Sequence, residues 1–372
     1  MSRKWIFILV PILLFLLPYL IVKLSQFLIN HKTVKPLTAQ ELHQKALKAG
    51  FASNPKTFEE LLKLYPAGER PSKELISLGK SLFFDPILSK ENSISCAGCH
   101  ILEDGGDDNR PTAIGYHNQA NPFHLNSPTV LNAALQKFQF WDARAKNVEE
   151  QAGGPITAPF EMAMTPESVV KKLSDSPYKA RFEKLFKDGV TFENAKKAIG
   201  AYERTLLTRG RFDKFLDGNL TALSDKERAG FELFMDIGCK ACHFGRSVGG
   251  QIIQKFPLNR YGNFFYPEFG FKNKEYIFKK IVFQEPQFTP FPFDNVGGFL
   301  GKDMSLRFKV PMLRDITRTA PYFHNGVEEK LEKVIEIMAK HQRGLVLDKE
   351  QTQKIAAFLK SLEGELVDYG NF

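Results

Sequence analysis

Hydrophobic residues in this chain recur mainly at the three- and four-residue spacing of an α-helix. Ser224 and Glu227 form a capping box, in which each side chain satisfies a free backbone amide at a helix start. Asp348 starts a second helix, and Thr165 and Thr191 are further starts. The apolar faces that follow are Gly230, Leu233, Phe234 and Ile237 in the first helix and Ile355, Phe358, Leu359 and Leu362 in the second. Alternating strand patterns are scarce, so the pattern predicts a mostly α-helical protein.

A nearly uncharged apolar run from Trp5 to Ile29 precedes the helical part. A helix that spans a bilayer needs about 20 such residues, and Arg3 and Lys4 favour a cytoplasmic N-terminus. The run is longer than the apolar region of a secretory signal peptide, and no Ala-x-Ala-like site follows it. We therefore predict one N-terminal transmembrane helix over residues 1–30, with the rest of the chain on the periplasmic side of the inner membrane. A cleaved signal peptide is the alternative.

Residues 244–300 differ from the rest because phenylalanines alternate there with proline and glycine. The phenylalanines are Phe256, Phe264, Phe265, Phe269, Phe271, Phe283, Phe288, Phe291 and Phe293. This composition predicts a long aromatic loop packed on the domain that contains it. A binding surface is the other interpretation.

Charge and length narrow the class of protein. The formal net charge is +9, but the basic residues are spread along the chain and form no block or aromatic-basic stripe. Nucleic-acid binding is therefore disfavoured, and a solvated surface near anionic lipid accounts for the charge. Residues 31–372 are long enough for two domains of ordinary size.

All four cysteines lie in two Cys-x-x-Cys-His boxes. The boxes supply Cys96, Cys99 and His100 at the first site and Cys239, Cys242 and His243 at the second. This pentapeptide is the attachment signature of c-type haem, in which both thiols bond to the porphyrin edge and the histidine binds iron. A zinc site needs four converging ligands, and a redox dithiol would leave the second box unexplained. The boxes predict two covalently bound haem c groups in a compartment outside the cytoplasm.

Six further segments stand in a fixed order around the boxes. They are residues 82–86, 111–115, 126–132, 140–145, 310–315 and 319–326. Together with the boxes they make residues 70–365 closely similar to the bacterial di-haem cytochrome c peroxidases. The resemblance implies two cytochrome c-like haem domains, which we place at residues 70–210 and 211–372, with residues 31–69 as a juxtamembrane segment.

In the family that the chain resembles, the two haems have different tasks. The C-terminal haem accepts electrons from a donor, and the N-terminal haem reduces hydrogen peroxide to water. The resemblance therefore implies a donor such as a small cytochrome c or copper protein, or the quinol pool, and it leaves a homodimer open.

Several site residues follow from the resemblance alone. Met338 corresponds to the distal iron ligand of the C-terminal haem, although His341 is close enough to compete. Gln151 and Glu161 correspond to the catalytic pair at the peroxidatic haem, where a carboxylate moves the peroxide proton. Trp141 corresponds to the tryptophan between the haems, in a position to relay an electron.

The distal ligand of the N-terminal haem matches the family less well. Tyr116 occupies the usual histidine position, and His117 follows it. His117 is the first choice as the iron ligand, His124 the second, and the absence of a protein ligand the third. The resemblance also implies one calcium ion between the domains, at Asn126, Thr319 and Pro321.

Two alternative functions remain. One is a di-haem enzyme that oxidises a protein or organic substrate, but the tryptophylquinone-forming members carry tyrosine where this chain has Met338. The other is a non-catalytic di-haem electron carrier, which Gln151 and Glu161 disfavour.

Overall fold

The computed structural model describes residues 36–258, 291–370 and 372, and the described part is mostly α-helical. The helices are α1 (Ala39–Lys48), α2 (Phe58–Leu62), α3 (Lys73–Phe84), α4 (Cys96–Cys99), α5 (Val148–Thr157), α6 (Pro166–Ser174), α7 (Tyr178–Leu185), α8 (Phe192–Glu203), α9 (Arg211–Leu216), α10 (Asp225–Asp236), α11 (Leu331–Arg343) and α12 (Lys349–Lys360). The strands are β1 (Thr208–Gly210), β2 (Ile253–Lys255), β3 (Arg307–Lys309) and β4 (Gly364–Leu366).

The predicted helix starts are confirmed. Ser224 and Glu227 form the expected capping box before α10, and Asp348 caps α12. Thr165 and Thr191 accept backbone hydrogen bonds at the starts of α6 and α8. These five side chains satisfy backbone amides that have no partner inside the helix, so the helix starts could be predicted from the local sequence.

Helices α3 and α8 cross closely in the first half of the chain. Gly79 makes the crossing possible, because a Cβ there would lie 1.8 Å from the carbonyl oxygen of Ala198. Leu78, Leu82 and Ile199 are fully buried at this contact, and α5 packs against α8 beside it. The crossing gives the first Cys-x-x-Cys-His box a rigid support, because α4 packs against α3.

Helices α10 and α12 form the corresponding pair in the second half. Phe212, Phe231 and Phe358 are fully buried between them and α9, with Phe231 and Phe358 stacked at 4.7 Å between ring centres. Helix α1 belongs to the same core, since its residues Leu42 and Ala46 are fully buried in that core. The second box follows directly from the end of α10.

Two short antiparallel sheets join distant parts of the chain. Strand β1 pairs with β4 near the C-terminus, with Arg209 opposite Glu365. Beyond β4, the Tyr369 hydroxyl donates to the carbonyl oxygen of Pro55 at 3.0 Å. The C-terminal residues therefore lie against the segment before the first haem box and against the junction between the two halves. Strand β2 pairs with β3, with Gln254 opposite Phe308.

The described part of the aromatic segment packs as a core. Phe256, Phe291 and Phe308 are buried together, and Phe293 and Phe323 stack on them. Core packing is thus confirmed for these phenylalanines. The remaining phenylalanines of the predicted loop, which fall between residues 259 and 290, lie outside the described residues.

The expected membrane-spanning helix requires a correction. Residues 1–30, to which the sequence assigned it, lie outside the described residues. Within residues 36–258, 291–370 and 372, no helix has both the length and the apolar character needed to cross a bilayer. The mostly α-helical prediction is confirmed, whereas the transmembrane helix and the single-pass location in the inner membrane that followed from it are not supported.

Candidate functional site

The first Cys-x-x-Cys-His box forms the short helix α4 and ends at His100. Nδ1 of His100 lies 3.0 Å from the carbonyl oxygen of Gly106. A proton on Nδ1 donates to that oxygen and leaves Nε2 free for a metal. Gly106 has a φ of +78°, and a Cβ there would lie 2.6 Å from the Leu131 side chain. The glycine is therefore needed to place the carbonyl that orients the imidazole.

Burial keeps the thiols of this box protonated. It raises the pKa of Cys96 to about 12 and that of Cys99 to about 11, whereas zinc sites and reactive dithiols use thiolates of lowered pKa. All four cysteines are free of disulfides. Among the described residues, no three His, Cys, Asp or Glu side chains converge on a metal position. The donor set fits thioether bonds to a haem better than zinc.

The second box lies on the wall of an apolar cavity of about 410 Å³. Cys239, Cys242 and His243 line this cavity, and so does Met338 of α11. Burial lowers the pKa of His243 to about 4, so its imidazole is neutral and has a lone pair for iron. Two thiols, a neutral imidazole and a thioether around one apolar cavity fit a haem c, to which the thiols would bond covalently and the imidazole and thioether would supply iron ligands.

The two candidates for the distal ligand of this haem differ in position. Met338 and His341 lie on the same helix, α11. Met338 lines the cavity and packs against the aromatic cluster of Phe256, Phe291 and Phe308. His341 is buried but does not line the cavity. The geometry therefore favours Met338.

Trp141 lines the same cavity, at the contact between the two halves of the chain. Its Nε1 donates to the carbonyl oxygen of Asn126 at 2.9 Å. Its own carbonyl oxygen accepts from the amide of Lys309 on β3 at 2.8 Å. His324 meets the indole edge-on, with 6.4 Å between ring centres. The indole is held from both halves of the chain, so its position relative to the cavity is fixed.

Glu161 lies on the side of the first box, close enough to Cys99 for its carboxylate charge to help raise the pKa of that thiol. Burial raises the pKa of Glu161, while Arg144 and a hydrogen bond with Asn121 act in the opposite direction. A carboxyl group with a raised pKa changes its protonation nearer to neutral pH, which suits proton transfer. Gln151 lies on α5 and is half-buried.

His117 lies at the surface. Its Nε2 is 3.2 Å from Oε1 of Glu91, and 57% of its side chain is exposed. Its ring stacks on Tyr116 at 4.0 Å between centres, and the amide of Tyr116 donates to the carbonyl oxygen of Glu161 at 2.8 Å. In this conformation the loop is bound through its backbone to the backbone carbonyl of Glu161, and the imidazole of His117 is bound to Glu91.

His124 has a different environment. Its Nδ1 is buried and accepts or donates no hydrogen bond within the described part of the chain. A buried ring nitrogen without a partner is costly, so this histidine retains a site for a proton, a water molecule or a metal.

The three residues predicted for calcium line the cavity of the second box as well. Asn126, Thr319 and Pro321 all face it, and Nδ2 of Asn126 donates to the carbonyl oxygen of Arg110 at 2.8 Å. That bond leaves the Asn126 side-chain oxygen for a cation. Asp107, which no pattern singled out, also lines the cavity, and neither of its carboxylate oxygens has a hydrogen bond among the described residues. These oxygen donors fit a hard cation.

Comparison with known proteins identifies the family. The family described as di-haem cytochrome c peroxidase matches residues 73–221. The cytochrome c551 peroxidase of Nitrosomonas europaea is 41% identical over 80% of this chain and 82% of its own length. The chain belongs to the di-haem cytochrome c peroxidase family. The cytochrome c551 peroxidase of Pseudomonas aeruginosa is 38% identical, over 88% of each chain.

Solved structures support the fold of this di-haem peroxidase family member. A crystal structure of a MauG-like protein associated with microbial copper homeostasis superposes with a TM-score of 0.62, over 81% of this chain and 92% of that one, at 24% identity. Family membership implies two c-type haems, and the two boxes account for their attachment.

The structure adds a residue of this family member that sequence reasoning missed. Lys309 is the last residue of β3, which begins with the exposed Arg307. It is only 4% exposed, and its Nζ lies 2.8 Å from Oε1 of Gln136. A lone lysine in a three-residue strand has no periodic signal that would reveal its burial. It lines the cavity of the second box together with Gln136.

Proposed function

We propose that this chain reduces hydrogen peroxide to water, with electrons that enter at the C-terminal haem and are used at the N-terminal haem. One hydrogen peroxide, two electrons and two protons give two waters. The observation that carries the proposal is the cavity that brings Met338 and His243 together with Trp141. Each haem, when bound, supplies the iron at which its electron is accepted or used.

The C-terminal half suits electron entry. Met338 offers a neutral, soft thioether sulfur, which favours ferrous iron and raises the potential. Trp141 lies at the wall of the same cavity and is hydrogen-bonded to Asn126 in the first half. An aromatic side chain that is fixed between two redox sites would shorten the distance that an electron has to cross.

The N-terminal half suits proton transfer. Glu161 takes the proton from the peroxide oxygen nearer the iron and returns it to the outer oxygen, which leaves as water. Its burial favours the exchange, because the charged form of a buried carboxylate is disfavoured and readily accepts a proton. Arg144 offsets part of that cost, so the carboxylate form is available. Gln151, half-buried on α5, orients the peroxide by hydrogen bonding.

A haem held at the first box would be open to peroxide on the side of His117, because that imidazole is bound to Glu91. The pairing of His117 with Glu91 supports this part of the proposal. For His117 to bind iron, its ring has to leave Glu91 and Tyr116. His124 is the second candidate, on the strength of its free buried nitrogen.

The electron donor that we propose is a small c-type cytochrome. The relatives from N. europaea and P. aeruginosa are named cytochrome c551 peroxidases. A copper protein or a quinol is the alternative donor. We also propose one calcium ion at Asn126, Thr319 and Pro321, which the oxygen-lined part of the cavity supports.

Steady-state turnover tests the function. Purified protein with both haems should oxidise two equivalents of reduced cytochrome c for each hydrogen peroxide consumed. A non-catalytic carrier would exchange electrons with the cytochrome but leave the peroxide concentration unchanged. That outcome, in a sample with two haems per chain, would replace the proposal by the carrier function.

A further inference from the structure

Lys309 is a buried cation with an incomplete set of partners. Its ammonium has three N–H donors, and the hydrogen bond within the described residues goes to the neutral amide of Gln136 at 2.8 Å. Among the described residues no Asp or Glu carboxylate offsets its charge, since burial is the one cause of the change in its pKa. Burial lowers the pKa of Lys309 to about 8. A buried charge of this kind needs an anion to compensate for the lost hydration.

The cavity next to Lys309 is the one that the second haem would fill. Lys309 and Gln136 line it together with His243 and Met338. The other ionisable side chains on its wall are Asp107, Tyr322, His324, Arg343 and the two cysteines of the box. Arg343 donates from Nε to the carbonyl oxygen of Ile237, and His324 is bound through Nε2 to Asn295.

A haem c brings two propionate carboxylates into such a cavity. These are the anions that a bound haem itself supplies, and a lysine binds a carboxylate with a short, charge-assisted hydrogen bond. We propose that Lys309 binds a propionate of the C-terminal haem and raises the reduction potential of that haem. A positive charge near the iron favours the ferrous form, because reduction removes one positive charge from the haem.

The position of Lys309 also ties this haem to the other half of the chain. Its backbone amide donates to the carbonyl oxygen of Trp141, and its ammonium donates to Gln136. Both partners precede the junction at β1. A propionate held by Lys309 is therefore anchored at the contact on which Trp141 also lies, so Lys309 is a positioning residue for the route between the haems.

This inference depends on the assignment of the second haem in the proposed function, but its test needs no peroxide turnover. The midpoint potential of each haem is measured by spectroelectrochemical titration of the purified full chain. Lys309→Met should disfavour reduction of the C-terminal haem at least tenfold, which corresponds to a fall of about 59 mV for one electron. Lys309→Arg, which keeps the charge, should stay within threefold of the wild type.

The matched control is Lys255→Met, on the neighbouring strand β2, where the side chain is exposed. A Lys309→Met potential that moves no further than that of the control would overturn the proposal. If Lys309→Met does not retain the second haem, Lys309→Gln replaces it under the same criterion.

The wild-type protein provides a second test that needs no uncharged variant. The propionate bending band in the resonance Raman spectrum moves to higher frequency when a propionate is strongly hydrogen-bonded. The ferrous C-terminal haem of the wild type and of Lys309→Arg should show the shifted band. A wild-type band at the position of a solvated propionate would refute the contact, whether or not the enzyme reduces peroxide.

Discussion

Replacement of Glu161 by glutamine separates proton transfer from every other task of the site. Glutamine has nearly the same shape and retains a polar group that can hydrogen-bond with Asn121, but it cannot carry the peroxide proton. General acid–base catalysis contributes about 100- to 10,000-fold. We therefore expect Glu161→Gln to lower peroxide turnover by at least about 100-fold, or about 2.7 kcal/mol in activation free energy. Both haems and their absorption spectra should be retained.

The burial of Glu161 predicts an opposite effect on stability. Its pKa is raised from 4.5 by burial, so ionisation of the folded protein is penalised relative to the unfolded chain. The folded protein binds this proton more tightly than the unfolded chain does. The contribution of Glu161 to the free energy of unfolding therefore falls as pH rises from 4.5 through its raised pKa. Glu161→Gln should thus unfold at a higher temperature than the wild type at neutral pH. This advantage should vanish as pH falls below 4.5.

The assay combines steady-state turnover with thermal unfolding at several pH values. Turnover by the wild type should decline as pH falls through the raised pKa of Glu161, because the carboxylate that accepts the proton is lost. The control is Glu183→Gln, on α7. The Glu183 side chain is 56% exposed, and its carboxylate comes no closer than 3.9 Å to Nζ of Lys179. Near-normal turnover by Glu161→Gln would remove this residue from the mechanism. A large loss shared by Glu183→Gln would show a general defect.

Three further predictions concern other residues. His117→Ala should leave the oxidised N-terminal haem high-spin and reactive without prior reduction, as judged by electron paramagnetic resonance; a low-spin signal in this variant would transfer the ligand role to His124. Met338→His should lower the potential of the C-terminal haem and abolish its thioether-to-iron absorption band, because imidazole favours ferric iron; retention of that band would exclude Met338 as the ligand. Gly79→Ala should destabilise the fold by about 1–3 kcal/mol in denaturant unfolding, since its Cβ meets a carbonyl oxygen at 1.8 Å. Gly68→Ala, with no atom within 4 Å of the added carbon, is the control, and equal losses in both variants would refute the packing argument.

Local chemistry explains which parts of the fold were predictable. The capping box of Ser224 and Glu227 satisfies amides within one helical turn, so its residues are adjacent in the sequence and recognisable there. The haem boxes could be recognised for the same reason. Both thiols and the imidazole must reach one porphyrin ring, so their residues are close together in the sequence. Helix α1 was missed although Thr38 and Glu41 form a capping box before it. This helix lies in the segment predicted to be juxtamembrane, and its Leu42 and Ala46 pack into the second core.

Contacts between distant segments explain the rest. The family register placed His117 next to a haem, but only the fold shows that Glu91 lies within 3.2 Å of it. The same holds for Lys309, because the sequence pattern of β3 does not reveal a buried ammonium beside Gln136. A charged side chain is usually exposed. The burial of Lys309 therefore becomes apparent in the three-dimensional structure and not in the sequence.

The pairing of β1 with β4 has a consequence for how this protein can be divided. The C-terminal residues return to the junction between the halves, and Tyr369 binds Pro55 ahead of the first haem box. If the chain were cut at the junction, the N-terminal piece would lose β4, the partner of its strand β1. The C-terminal piece would expose the Tyr369 ring, which is buried in the intact chain. The two haem-bearing halves therefore do not form separable modules that can be exchanged singly between proteins. Truncation behind Gly364 should damage the first half as well as the second, because it removes the partners of Thr208 and Arg209 in β4 and the bond from Tyr369 to Pro55.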